Sequence, residues 1–206
     1  MPINLKKPLA AALLAATMSG TPARGVEPTP RPPSTSSKSH GINAQRVFDK
    51  VVNDLIEYEG TIAYQRSKGS YRNGRFYPYK DSRGYMTVGY GHKILPTENY
   101  SKGITEQEAK KMLSSDAKVA WYDAIELLRE YNISLTDEQR EVVMEILPNM
   151  TFQLGKKGVR DFKKMWVALR ANDFKTASKE MLDSAWNKQT PSRAQKLAGK
   201  MKVIAN

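Results

Sequence analysis

Between residues 44 and 59 apolar side chains recur at helical spacing: Val47, Phe48, Val51, Val52, Leu55 and Ile56 fall on one face, and Gly60 supplies a stop. From 61 to 92 that period disappears. Tyr, Thr, Val and Phe dominate, Asn73-Gly74 is a hairpin turn signal and residues 81–84 form a second turn, so the stretch predicts a small antiparallel sheet. Thr105 followed three residues later by Glu108 is a capping box that opens a helix reaching about residue 129, and Thr136 with Gln139 repeats the signal. Pro148 predicts the start of a short helical piece that ends at Gly155. Helices near 158–170, 173–185 and 191–203 follow, the last with Thr190 as N-cap and Pro191 at its first position. One helix, a small sheet and then a run of helices predict an α+β architecture with two lobes.

The first 40 residues have a different composition. They hold seven of the eleven prolines, and 24–40 is a Pro/Ser/Thr-rich tract with too little apolar surface to offset its ordering entropy, which predicts a linker. Residues 1–23 combine two lysines, an apolar run over 9–18 and small residues beyond, with Thr21-Pro22-Ala23 as the best cleavage candidate. A signal peptide, a transient anchor and a short docking helix all fit this segment. The apolar run is about half a bilayer span, so no transmembrane helix is expected. Residues 41–206 are left as the folded domain.

The chain carries 33 Lys and Arg against 21 Asp and Glu. Within 41–206 the balance is 28 against 20, so most of the excess basic charge belongs to the folded part. That favours a polyanionic partner, whether nucleic acid, anionic lipid or a cell-wall polymer. No nucleic-acid motif accompanies the charge. The chain contains no cysteine, which excludes disulfides, thiolate zinc, iron–sulfur ligation and a Cys nucleophile, and only His40 and His92 are present, which argues against a His-rich metal site.

Glu59 continues the apolar stripe of the first helix and lies at its C-terminal end. Burial and the negative end of the helix dipole both disfavour an ionised carboxylate there, as a general acid requires. Taken alone it is more simply a solvated glutamate at a frayed helix end. Asp81 begins the tight turn ahead of the strand that carries Thr87, and alone each is an ordinary turn or strand residue.

Glu59-Gly60 followed by Tyr79-Lys80-Asp81-x-x-Gly84-Tyr85-x-Thr87-x-Gly89-x-Gly91-His92 resembles the catalytic signature of the T-even phage lysozymes, glycoside hydrolase family 24. Two downstream blocks agree in order: Asn149-x-x-Phe152-Gln153-x-Gly155 with Gly158-Val159, and Trp186-x-x-Gln189-Thr190-Pro191-x-Arg193-Ala194. The resemblance implies a two-lobed lysozyme-like fold and a muramidase cutting the β-1,4 bond between N-acetylmuramic acid and N-acetylglucosamine in peptidoglycan, without metal or cofactor. By position it makes Glu59 the general acid, Asp81 the carboxylate that assists the attacking water, and Thr87 the hydroxyl beside that water. It further implies that Arg193 pairs with the acid, that His92 and Asp116 form an ion pair between lobes, that Gln153 supports the site, and that Phe152 and Tyr90 touch substrate. Phe152 also has a plain reading as a core phenylalanine. Water attack on the opposite ring face implies inversion, with the carboxylates about 6.5–9.5 Å apart.

Two features depart from the family pattern. The 21 residues between Glu59 and Asp81 are more than that pattern has, and 64–77 reads as an extended basic, aromatic hairpin able to hold glycan or anionic wall and outer-membrane groups. Lys93 and Met165 stand where the pattern has apolar and hydroxyl residues lining the cleft. A lytic transglycosylase and a non-enzymatic basic protein, membrane-active or structural in a virion, are the alternatives. A monomer acting from the host cytoplasm, the periplasm or wall, or the virion is the expectation for assembly and location.

Overall fold

A computed structural model describes residues 43–81 and 84–204, so the expectations for 1–23 and 24–40 lie outside the described residues. The side chain of Asn43 accepts from the Arg46 N–H to cap α1 (Ala44–Glu59), whose Val47, Phe48, Val51 and Leu55 are buried as the periodicity requires. Gly60 ends the helix at φ +113°, a conformation that side-chain-bearing residues rarely adopt.

The chain then departs from the expected hairpin over 64–77. Thr61 accepts from the Tyr64 N–H and starts a short helix, α2 (Ile62–Ser67). The hairpin itself is confined to β1 (Tyr71–Arg72) and β2 (Arg75–Phe76), joined by Asn73-Gly74 with both residues at positive φ. A local cap overrides the strand preference of Ile62 and Tyr64. β2 also pairs with β6 (Ile104–Thr105) to make one three-stranded antiparallel sheet. A second such sheet runs in chain order through β3 (Tyr79–Lys80), β4 (Met86–Val88) and β5 (His92–Lys93).

Both capping boxes form. Thr105 and Glu108 open α3 (Glu106–Glu130), and Thr136 and Gln139 open α4 (Asp137–Arg160). α4 runs through Pro148 instead of restarting there; beside the proline Asn149 Nδ2 donates to the Glu145 carbonyl and the Thr151 hydroxyl is aimed at the Ala120 carbonyl of α3 at 2.8 Å, so the segment is held within the core. The helix breaks at Gly155, φ +73°, and its last turn covers the start of the helix expected near 158–170. The rest of that helix is α5 (Lys163–Arg170). The expected 173–185 helix divides into α6 (Phe174–Leu182) and α7 (Ala185–Gln189), with Ser184 capping the second piece. α8 (Pro191–Val203) matches its expected bounds, although Thr190 makes no side-chain capping bond.

The result is the α+β, two-lobed arrangement, with a core in each lobe. Val51, Leu55, Phe76, Val88 and Ile104 pack in the sheet lobe, and Val143, Ile146, Leu147, Trp166 and Leu197 in the helical lobe. α3 serves both, its Ala109, Leu113, Ala117 and Ala120 in the first core and its Ala124, Leu127 and Leu128 in the second. Trp121 touches both cores and meets Phe48 edge-on at 5.6 Å.

Candidate active site

Glu59 is the last residue of α1, and Arg193 reaches it from the first turn of α8. Arg193 Nη2 donates to Glu59 Oε1 at 3.0 Å, with the two side chains only 6% and 17% exposed. Two further neighbours, Gln153 and Tyr58, hold the guanidinium. Arg193 Nη1 donates to Gln153 Oε1 at 3.0 Å, and the same oxygen accepts from Trp186 Nε1 at 2.8 Å. Gln153 Nε2 in turn donates to Thr190 Oγ1 at 3.2 Å, while the Tyr58 ring lies 4.2 Å from the guanidinium carbon. Thr190 thus serves this network instead of capping α8. Gln153 and Trp186 come from different elements of the helical lobe, so the position of the Glu59 carboxylate is set by the packing of that lobe.

The sheet lobe supplies the opposing groups. Asp81 closes its turn on itself: its N–H donates to the Tyr85 carbonyl, its Oδ1 accepts from the Tyr85 N–H, both at 2.9 Å, and the Gly84 N–H donates to its carbonyl. The antiparallel register sets Tyr79 opposite Thr87 and Thr87 opposite Lys93, so these three side chains share a face. Tyr85 lies beside that face, its ring 3.8 Å from Lys93 Nζ, and Asp81 follows Tyr79 and Lys80 directly at the end of β3. Val88 and His92 occupy the other face, toward α3. Thr87 is 3% exposed and its hydroxyl donates to the Tyr85 carbonyl at 3.2 Å.

Tyr79 ties the two sides together. Burial pushes its phenol up, the hydrogen bond from Gln65 opposes this, and the negative charges of Glu59 and Asp81 push it up again. One phenol therefore feels both carboxylates. Gln65, buried in α2, directs Nε2 to Tyr79 Oη at 3.4 Å and to the Gly89 carbonyl at 3.3 Å, and its Oε1 accepts from Ser70 Oγ. The Tyr79 position was readable from its spacing of two from Asp81. Gln65 carried no comparable signal.

His92 Nδ1 lies 3.0 Å from Asp116 Oδ2, joining β5 to α3 as expected. A second carboxylate, Glu98, sits 3.3 Å from Nε2 and also accepts from the Leu95 N–H and the Tyr100 hydroxyl. The bond to Asp116 raises the His92 pKa against the opposing effect of burial, and Glu98 adds to the rise. Burial pushes Glu98 up, but the Leu95 N–H and His92 outweigh it and hold Glu98 below the usual carboxylate range. Glu98 was missed because a lone glutamate six residues along a loop gives no pattern.

Two residues expected to touch substrate lie inside. Tyr90 is 3% exposed and packed on Phe76 at 5.1 Å, and Phe152 is 8% exposed in the same core, in line with its plain reading as a core phenylalanine. Met165 is fully buried and helps line, with Leu154, Phe162 and Trp186, a groove of about 430 Å³ on the helical lobe. Among the described residues no three His, Asp or Glu side chains converge as metal ligands.

The sequence matches the phage lysozyme family over residues 70–202. Probable T4-type lysozyme 1 of Dictyostelium discoideum is 29% identical over 138 residues, covering 58% of this chain and 81% of the relative. The pre-baseplate central spike protein Gp5 of Enterobacteria phage T4 is 29% identical over 140 residues, 58% of this chain but 24% of its own length. Peptidoglycan hydrolase gp36 of Pseudomonas phage phiKMV is 27% identical over 125 residues, 60% of this chain and 13% of its own. The chain thus spans most of the Dictyostelium relative and a quarter or less of the two phage proteins. The family match begins downstream of Glu59, so the place of that residue in the site rests on its geometry.

Proposed function

The chain belongs to the phage lysozyme family, and from that premise we propose that it is a peptidoglycan hydrolase, a muramidase that cuts the β-1,4 bond between N-acetylmuramic acid and N-acetylglucosamine. The Glu59 carboxyl protonates the glycosidic oxygen as the bond breaks. Asp81 stays ionised, assists the attacking water and offsets the positive charge developing on the sugar ring, and the Thr87 hydroxyl orients that water. Attack comes from the opposite ring face and inverts the anomeric centre. Arg193, Gln153 and Trp186 hold the acid in place, so little reorganisation is needed when the proton moves.

The observation that carries this reading is the Glu59–Arg193 ion pair: a carboxylate at the end of α1 is anchored at 3.0 Å by a nearly buried arginine that Gln153 holds in place. The site of action is then the cell wall, reached by release from the host, by export or from a virion. Among the described residues no helix is long and apolar enough to cross a membrane. Digestion of purified walls, with the sugar termini separated by mass spectrometry, tests the proposal. Hydrolysis adds water and yields ordinary reducing ends. A product with 1,6-anhydro ends identifies a transglycosylase, and lysis with intact glycan strands identifies a membrane-active protein.

A further inference from the structure

Gln65 belongs to α2, ahead of the residues that match the family and within the stretch between Glu59 and Asp81 where the chain is longer than the family pattern. Its side chain is an amide in a residue only 1% exposed, which is costly unless the polar atoms find partners. Those partners come from segments beside the three residues assigned to the chemistry. Nε2 donates to Tyr79 Oη at 3.4 Å and to the Gly89 carbonyl at 3.3 Å. Tyr79 precedes Asp81 by two residues, and Gly89 follows Thr87 by two. Gly60, next to Glu59, packs against the same nitrogen: a Cβ at Gly60 would lie 3.3 Å from it. One buried amide thus meets the backbone after Glu59, the tyrosine ahead of Asp81 and the turn after Thr87.

The orientation of that amide follows from its neighbours. Only an N–H can face the Gly89 carbonyl, and the Ser70 hydroxyl supplies the hydrogen that Oε1 accepts. Ser70 is 4% exposed, and its carbonyl accepts from the Tyr77 N–H at 2.8 Å, so the end of α2 is tied to the chain leaving β2. An N–H at Tyr79 Oη occupies a lone pair and leaves the phenolic hydrogen for another acceptor. Both Nε2 bonds are long, so their value lies more in direction than in strength.

We propose that Gln65 is a positioning residue for glycan cleavage, its amide setting Glu59, Asp81 and Thr87 relative to one another by gathering Gly60, Tyr79 and Gly89 at one point. The proposal deepens the hydrolase reading and rests on it for the roles of those three residues. α2 is then a brace for the active site. Gln65→Met keeps the length of the side chain and removes both N–H donors. Ser70→Ala keeps the amide but releases its oxygen. Val143→Ala, in the core of the helical lobe, is a control that loses stability and makes none of these contacts. On purified walls, at a temperature where each protein is folded, Gln65→Met lowers kcat about tenfold to a hundredfold with KM within about twofold of wild type. Ser70→Ala lowers kcat about threefold, and Val143→Ala leaves kcat and KM within about twofold. Lower melting temperatures with kcat retained make Gln65 a packing residue and overturn the proposal, as does a kcat loss that Val143→Ala matches. If Gln65→Met does not fold, Ser70→Ala decides by the same criterion.

Carbon-13 labelling of the tyrosine ζ carbons gives a readout that needs no substrate. The Tyr79 resonance, identified by its absence from Tyr79→Phe, moves in Gln65→Met and stays in place in Val143→Ala. A Tyr79 resonance unchanged in Gln65→Met overturns the proposal even if the walls are cut. Failure of the hydrolase reading shows elsewhere, in a wild-type protein that frees no reducing ends.

Discussion

Arg193 connects the acid of one helix to the packing of three others. Replacing it by methionine removes the charged partner of the Glu59 carboxylate, one of the two donors to Gln153 Oε1 and the guanidinium over the Tyr58 ring, in a largely dry place. Truncating one member of such a network costs about 2–3 kcal/mol, so Arg193→Met should lower the melting temperature by several degrees and reduce wall cleavage. Arg193→Lys should recover part of the stability but less of the activity, because an ammonium cannot serve Gln153 and Glu59 in the same fork geometry. Thermal denaturation and initial rates check both. At this scale Glu59, Asp81, Thr87 and Arg193 were visible as candidates because each falls in a block that resembles the phage lysozyme signature, while alone Glu59, Asp81 and Thr87 read as ordinary residues. Gln65 and Glu98 escaped because each acts through a distant partner, Gly89 and His92, that no local spacing announces.

The elements that position the site were legible wherever a local signal agreed with the long-range packing. α1 and both capping boxes are of this kind. α2 was not, because six residues containing Ile62 and Tyr64 present strand-like chemistry and the Thr61 cap is its main helical signal. Pro148 misled for the opposite reason: the segment around it is buried, with Asn149 bonded to the Glu145 carbonyl and Thr151 to the Ala120 carbonyl of α3, and this is invisible before the core is known. Gly60 is where α1 must turn into α2. A Cβ there would lie 2.9 Å from Tyr64 Cδ1 and 3.3 Å from Gln65 Nε2 at φ +113°. Gly60→Ala should destabilise the fold by about 1–2 kcal/mol in chemical denaturation, mostly through backbone strain, since the exposed Tyr64 ring can move aside.

The His92 link between β5 and α3 has a defined pH dependence. The folded-state pKa of His92 is raised, so its contribution is fully present below the unfolded value near 6.5 and is lost as pH rises through the higher folded value. Glu98 is lowered, so its contribution is present above about 4.5 and is lost as pH falls through the depressed value. Together they place the greatest stabilisation between about pH 4.5 and 6.5. His92→Gln should flatten the stability profile above that window, as read from urea midpoints across pH. An unchanged slope would remove His92 from the linkage.

Across the whole molecule, charge is divided between the lobes. Residues 60–104 contain eight Lys and Arg against two carboxylates, which is +6 of the +8 carried by 41–206. In the rest of the domain several cations are paired with carboxylates across helices. Lys50 and Lys200 flank the buried Glu145, and Asp54 receives Lys196 and Lys200, tying α1 to α4 and α8. The sheet lobe instead stacks Arg72 on Tyr77 and Lys93 on Tyr85, each at 3.8 Å. Attraction to an anionic wall therefore acts mainly through the sheet lobe. Raising ionic strength from about 0.01 to 0.15 M, which shortens the screening length from about 30 to 8 Å, should lower kcat/KM on walls far more than kcat. The two-lobed plan and the net charge were readable from the chain. The pairing of particular cations needed the tertiary structure, because every carboxylate partner of Lys196 and Lys200 is at least 55 residues away.

The account depends most on one proton donor. Glu59→Gln keeps the shape of the side chain and an oxygen to accept from Arg193, but the amide cannot deliver a proton. The protein should melt near the wild-type temperature and release new reducing ends from purified walls at least about a hundredfold more slowly. A folded Glu59→Gln protein that frees reducing ends at a rate within a few-fold of wild type would contradict it.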